Sequence, residues 1–177
     1  DAALQPGEGY LKISQLSRKT YGVYIDKDDT FIYALEAPSA LVDQLAQRVR
    51  ASIDGRLKVD RQLVAFDVAA SYGLSNVLGG PAMSSILEAR SLVVDPAGPL
   101  EALPAGVLVT DRSSLDWYNA ARRSDPFDYS GVNFLAERAA ISTAVSPRSF
   151  LVVRSLPPSR APQPFIGFAE HAAPPGV

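Results

Sequence analysis

Apolar and polar residues alternate in three short runs between residues 10 and 36. One face of the second run carries Tyr21, Val23 and Ile25, and the third run repeats the alternation from Phe31 onward. A period of two residues is the pattern of a strand with one buried face. Short polar loops separate the runs, as they do in hairpins. The pattern therefore predicts an antiparallel β-meander.

The period lengthens to that of a helix over residues 38–55. Pro38-Ser39 is a typical helix start, and Gly55 is a typical helix end. Polar side chains fill the positions between the apolar ones, which is the pattern of an amphipathic helix. We expect this helix to pack on the meander through apolar residues that recur every four positions: Leu41, Leu45, Val49 and Ile53.

Helix-like and strand-like segments alternate in the middle of the chain. Residues 64–78 predict a second helix, interrupted at Gly79-Gly80-Pro81, and residues 81–89 predict a shorter third helix. Residues 91–95, SLVVD, are a continuous apolar run of the kind found in strands that are buried on both faces. Residues 107–111, VLVTD, predict another strand.

The last third of the chain is more polar. Residues 112–133 predict a loop with one helical turn, residues 138–146 a strand, and residues 146–156 a helix that is capped by Ser146. Residues 157–177 contain a proline-rich bridge, a last strand (FIGFAE) and a frayed tail. A meander followed by alternating helices and strands predicts an α/β fold, in which a mixed sheet is flanked by helices.

Composition narrows the class of protein. The chain has 177 residues, of which 47% are apolar and 20% charged, so we expect residues 1–177 to form a single domain or subdomain. A net charge of −2 argues against a nucleic-acid or membrane partner. The lack of cysteine removes disulfides and thiolate chemistry, and it fits a cytoplasmic protein. The first residue is not methionine, so we expect a piece of a longer protein.

Catalytic and metal-binding candidates are few. His171 is the only histidine, and we expect it to be exposed in the C-terminal tail. A zinc site would then need carboxylates alone. Asp26, Asp28 and Thr30 imitate the start of a calcium loop, but Phe31 stands where that loop needs glycine. We therefore predict no catalytic residue, no metal and no cofactor within this chain.

Two further groups of residues have open interpretations. Arg122 and Arg123 lie near Trp117, which could form a basic-aromatic patch, although a solvated connector fits the surrounding acidic residues better. Asp95 and Asp111 both follow predicted strands, where open α/β sheets place functional groups. The favoured interpretation of Asp95 is a cap on the turn that begins at Pro96.

The segment SLVVDPAGPLEALPAGVLV resembles the signature of the CHAT family, the caspase-like domains associated with tetratricopeptide repeats. In that family a buried strand of the form LIVVPDG is followed by a turn and then by L-x-x-LP. The matching residues are Leu92, Val93, Val94, Asp95, Pro96, Gly98, Leu100, Leu103 and Pro104. The flanks follow the family order as well, with NFLAERAAISTAVS after the signature and PQPFIGFAE after that.

Three positions depart from the family pattern. Asp95 and Pro96 are exchanged relative to the usual Pro-Asp-Gly, and Ser146-Pro147 replaces Pro-Ser. Ala105 stands where the family commonly has the phenylalanine of Leu-Pro-Phe, which removes an aromatic side chain from the core. Each substitution still leaves residues that favour a turn. Since proline fixes φ and glycine accepts positive φ, we expect the segment to be architectural, a sharp reversal after the strand.

The resemblance implies the first, pseudo-caspase-like half of a caspase-like fold. In the family, the catalytic histidine and cysteine lie downstream of the matched region, so no catalytic residue is carried over. The implied function is a non-catalytic N-terminal portion that supports or regulates a downstream half of a cysteine peptidase. An interaction module from a parent that has lost activity, and an unrelated binding domain, are the alternatives.

The same resemblance implies the partners. They are the remainder of the parent CHAT domain, tetratricopeptide repeats, and a protein partner or substrate. Without the downstream half, the last predicted strand would present an unpaired edge, so we also expect self-association of the fragment.

Overall fold

A five-stranded mixed sheet forms the centre of the protein. The computed structural model describes residues 3–16, 18–54 and 63–157. The strands run in the order β3-β2-β1-β4-β5; β1, β2 and β3 are antiparallel, whereas β4 is parallel to β1 and β5 to β4. Their bounds are β1 (Glu8–Leu16), β2 (Lys19–Ile25), β3 (Thr30–Ala34), β4 (Ser91–Asp95) and β5 (Ala140–Thr143). The predicted α/β class, meander and mixed sheet are confirmed.

Helices cover the two faces of the sheet unequally. The helices are α1 (Ser39–Asp54), α2 (Val68–Gly79), α3 (Met83–Glu88), α4 (Arg112–Ala121) and α5 (Pro147–Ser155). The first three pack with Leu11 and Leu92 in the main core, on what we call the helical face. The opposite side, which we call the open face, meets α5 through Tyr10 and Phe150.

The amphipathic helix α1 buries a different stripe from the predicted one. Of the four predicted residues only Val49 is buried, while Leu41 and Ile53 are exposed. The reason is geometric, because at 3.6 residues per turn each step of four residues drifts by about 40° around the helix. The buried residues instead follow one another at steps of three or four: Ser39, Val42, Ala46, Val49 and Ser52.

The region after β4 also differs from its prediction. Residues 107–111 do not form a strand; they make a single bridge, between Val109 and Phe134, after a 3₁₀ turn at Ala105–Val107. Residues 112–133 are not only loop, because α4 occupies ten of them and buries Tyr118. One of the two residues that α4 buries is the polar Ser114, so the segment has few apolar residues to distinguish it from a solvated loop.

Capping residues set the bounds of two other helices. The predicted second helix begins at Val68 rather than at residue 64, because the Asp67 carboxylate accepts a hydrogen bond from the Ala70 amide, 2.8 Å away. The predicted helix at 146–156 is confirmed as α5, with Ser146 as its cap. The bridge after residue 157, the predicted FIGFAE strand and His171 lie outside the described residues.

Two tyrosines join the sheet to the helices above it. The Tyr24 ring lies against Gly9 of the neighbouring strand, and its hydroxyl is 3.1 Å from the carbonyl oxygen of Ser85. The Tyr33 ring lies against Gly22, and its hydroxyl donates to the carbonyl oxygen of Leu78 at 2.6 Å. Burial raises the pKa of Tyr33 to about 12. The glycines leave the space in which each ring lies.

Candidate docking surface

The signature segment is part of the core and its connecting turn. Leu92 and Val94 pack on the helical face, and Val93 packs on the open face. The chain then reverses at Gly98, where φ is +60°, and continues as a 3₁₀ turn that buries Leu100. Leu103 packs against the same core, and Pro96 and Pro104 stand at the ends of the reversal. The positions of these residues agree with the architectural role predicted for the segment.

Ala105 borders a cavity in the main core. The cavity has a volume of about 60 Å³, and aliphatic side chains from the sheet, α2 and α3 line most of it. It lies beside the position at which the resemblance to the CHAT family implied the loss of an aromatic side chain.

Asp95 ties β4 to β1. The side chain is 2% exposed, and its carboxylate accepts hydrogen bonds from the Tyr10 hydroxyl at 2.8 Å and from the Lys12 ammonium at 3.0 Å. These hydrogen bonds cross the sheet instead of following the chain, so the turn-capping interpretation is wrong. Burial, and then the hydrogen bond to Asp95, raise the pKa of Tyr10 above its usual range.

Asp111 is the cap of α4. Its carboxylate accepts hydrogen bonds from the Ser114 amide at 2.9 Å, from the Ser113 hydroxyl and from the Asn133 side chain. Partial burial alone would raise the pKa of Asp111, but these hydrogen bonds outweigh it and hold the pKa well below its usual range. Asp95 shares none of these hydrogen-bond partners.

The lowered pKa of Asp111 predicts a pH-dependent contribution to stability. The contribution is present above the unfolded pKa of about 3.9 and is lost as the pH falls towards the folded value. Asp111→Asn keeps a capping side chain but removes the charge. We expect it to lower the free energy of unfolding by about 1 kcal/mol at pH 7, and to have no effect at a pH low enough to protonate Asp111 in the folded protein. Urea unfolding at both pH values checks this. A cost that is independent of pH would contradict it.

The other candidates have structural roles. The Asp26 carboxylate accepts hydrogen bonds from the Asp28 and Asp29 amides at 2.8 and 2.6 Å, which closes the β2–β3 hairpin. Within the described residues no group of His, Cys, Asp and Glu side chains could hold a metal ion. Arg122 and Arg123 follow α4 and are exposed, as expected for a solvated connector.

The described residues cover the open face of the sheet only in part. Along β2, Tyr24 on the helical face is buried, whereas Tyr21, Val23 and Ile25 on the open face are only half-buried. On β3, Ile32 points to this side and is 76% exposed. An uncovered apolar sheet face of this kind marks a surface that another element covers.

Helix α5 carries four consecutive apolar residues, Phe150 to Val153, and most of their surface is exposed. Phe150 packs on Tyr10 with ring centroids 5.2 Å apart, and Arg154 pairs with Glu8 and stacks over the Phe150 ring. The apolar side chains on the rest of the helix and just after it are all more than half exposed: Leu151, Val152, Val153 and Leu156. Four consecutive residues point in four directions around a helix, so a single neighbouring surface can cover only part of this apolar turn.

A groove runs between α5 and β2. Its volume is about 400 Å³, and the charged residue in its lining is Lys12. The remaining walls are apolar or aromatic: Ala3, Leu4, Tyr10, Val23, Ile25, Pro147, Phe150 and Leu151. We call the groove, the open face beside it and the outer side of α5 the docking surface.

Sequence reasoning found these elements but missed the surface that they form. The sequence did contain a signal for this surface, the four consecutive apolar residues Phe150, Leu151, Val152 and Val153. Such a run puts apolar side chains on more than one side of a helix, which then needs more than one partner. Only the packing shows that the sheet supplies one of them. Lys12 was also missed, because its neighbour Asp95 is 83 residues away in the sequence.

We compared the chain with family models, with curated proteins and with solved structures, and none of the three comparisons found a match. In the part of the chain that the structure describes, none of the helices has the length and apolar character to cross a bilayer.

Proposed function

We propose that this chain is the non-catalytic N-terminal portion of a CHAT domain, which supports or regulates a downstream, caspase-like cysteine peptidase half in the cytoplasm. The single observation that carries the proposal is the apolar turn Phe150–Val153 of α5, in which Phe150 packs on the sheet and the next three side chains are more than half exposed. The downstream half is the proposed second partner of this helix. The order of motifs around the signature supports this assignment.

The docking surface has the composition of a protein interface. Its centre is aliphatic and aromatic, with the rings of Tyr10 and Phe150 in tilted contact in the groove. Interface cores are depleted of charge and enriched in aromatic residues. The groove also offers concave pockets of the kind that anchor side chains fill. The surface therefore suits a stable interface with a folded partner better than a transient contact.

The experiment measures how tightly the chain binds the polypeptide that the proposal places after residue 177. The two parts are produced separately, and their affinity is measured by calorimetry. We expect binding, and we expect Leu151→Asp together with Val153→Asp to weaken it at least tenfold, since two charges would be buried at an apolar centre. Circular dichroism checks that the variant is folded.

The matched control changes exposed apolar residues elsewhere. Leu63→Asp together with Phe127→Asp introduces the same two charges away from the docking surface, and we expect it to leave the affinity unchanged. No binding, or equal binding by both double variants, would contradict the proposal. The chain has no cysteine, so we expect peptide cleavage only from the complex. Binding to a half that lacks the dyad would instead assign the chain as an interaction module.

A further inference from the structure

The charges around the docking surface are distributed unevenly. Lys12 lines the groove, Lys19 begins β2 on the open face, and Arg148 is in the first turn of α5. Lys19 and Arg148 lie towards the end of the sheet where the parallel strands finish, because β1 ends where β2 begins and α5 follows the end of β5. Lys12 pairs with Asp95, the last residue of β4. We call Lys12, Lys19 and Arg148 the basic rim.

Within the described residues, acidic side chains balance only Lys12 of the basic rim, through Asp95, and leave Lys19 and Arg148 unbalanced. The strands and α5 place Glu8 and Asp95 on this side of the sheet, and both are buried. Asp95 accepts one hydrogen bond from Lys12, whose ammonium keeps two further donors. Within the described residues, Lys19 and Arg148 pair with no acidic side chain. A chain of net charge −2 therefore presents an apolar surface with a positive border.

We propose that the occupant of the docking surface is an acidic, apolar segment of a protein partner. Its bulky aliphatic or aromatic side chains fill the groove between α5 and β2, and its carboxylates lie against the basic rim. This inference rests on the proposed function, and it adds the chemistry by which the partner is recognised. Complementary charge at a rim chiefly accelerates association and rejects wrong partners, while the apolar centre holds the complex together.

The test removes two rim charges that have no role in the fold. Lys19→Gln together with Arg148→Gln is expected to weaken binding of the downstream polypeptide about tenfold at low ionic strength. The loss should be mainly in the association rate, and it should shrink as salt is added, because exposed charges are screened within about 10 Å at 0.1 M salt. Lys12 is left intact because it also stabilises the sheet.

Two controls distinguish charge from shape. Lys19→Arg with Arg148→Lys keeps the charges and should keep the affinity. Arg123→Gln with Arg138→Gln removes two exposed charges from other parts of the chain and should leave both the rate and its salt dependence unchanged. Stopped-flow fluorescence of the labelled downstream polypeptide measures the rates.

The outcomes separate this inference from the proposed function. If Leu151→Asp with Val153→Asp disrupts the complex but the rim variants do not, the acidic character of the partner is refuted and the docking surface stands. If neither double variant has an effect, the proposed function fails as well. Vesicles of phosphatidylcholine with about one third phosphatidylserine test whether the basic rim binds an anionic membrane rather than a protein. Rim-dependent binding to these vesicles, with no salt dependence of the protein complex, would overturn the inference.

Discussion

Gly9→Val is expected to lower the free energy of unfolding by about 4 kcal/mol. A Cβ atom at position 9 would lie 2.6 Å from the Tyr24 hydroxyl oxygen and 2.8 Å from the ring edge. Tyr24 is fully buried, so the ring has no free space to move into. The substitution therefore displaces the ring from the main core and separates its hydroxyl from the Asp26 carboxylate and the Ser85 carbonyl oxygen.

Urea unfolding measures the effect, and two further variants identify its cause. Ser14→Val adds the same side chain to the same strand on the half-buried open face, and we expect a change within about 0.5 kcal/mol. Combining Gly9→Val with Tyr24→Leu removes the clashing ring, so part of the loss should be recovered. A cost below about 1 kcal/mol for Gly9→Val alone would show that the ring contact does not fix the helices on the sheet.

Lys12→Met is expected to cost about 3 kcal/mol. The substitution leaves the Asp95 carboxylate buried, with the Tyr10 hydroxyl as its remaining partner. Removing one member of a buried ion pair strands the other charge in a medium of low polarity. Because the Lys12 side chain is 34% exposed, water screens part of the pair, and the cost belongs at the lower end of the range for buried pairs.

The double variant tests the stranded charge directly. Lys12→Met with Asp95→Asn leaves no charge and still lets the Tyr10 hydroxyl donate to an amide oxygen, so most of the stability should return. Lys19→Met, an exposed lysine on the same face without an ionic partner, is the matched control and should be nearly neutral. Equal losses in the single and double variants would mean that Lys12 acts through its aliphatic stem rather than through its charge.

Local signals carried the successful sequence predictions. The meander follows from alternation within five to nine residues, and α5 follows from Ser146 and Pro147 at its start. The buried strand β4 follows from an unbroken apolar run. Each of these signals lies within the element that it predicts, so no knowledge of distant neighbours was needed.

Errors arose where packing chose between equivalent local patterns. Helix α1 offered two apolar stripes, and contact with α2 and the sheet selected the one that contains the small residue Ala46. Residues 107–111 have the composition of a strand, yet they pair with Phe134 at a single bridge because β5 occupies the position next to β4. The partners of Asp95 come from β1, which is distant in the sequence, so the residues of the turn after β4 did not indicate them.

The sequence by itself determined the α/β class, the meander and the reversal at Gly98, because periodicity and turn chemistry act over a few residues. Only the tertiary structure decided which surfaces stay uncovered. That choice depends on the strand order β3-β2-β1-β4-β5, which places α5, alone among the described helices, on the open face and brings Lys12 to Asp95. The exposure of a side chain depends on which surfaces the rest of the chain covers, so the sequence of a single segment does not encode it.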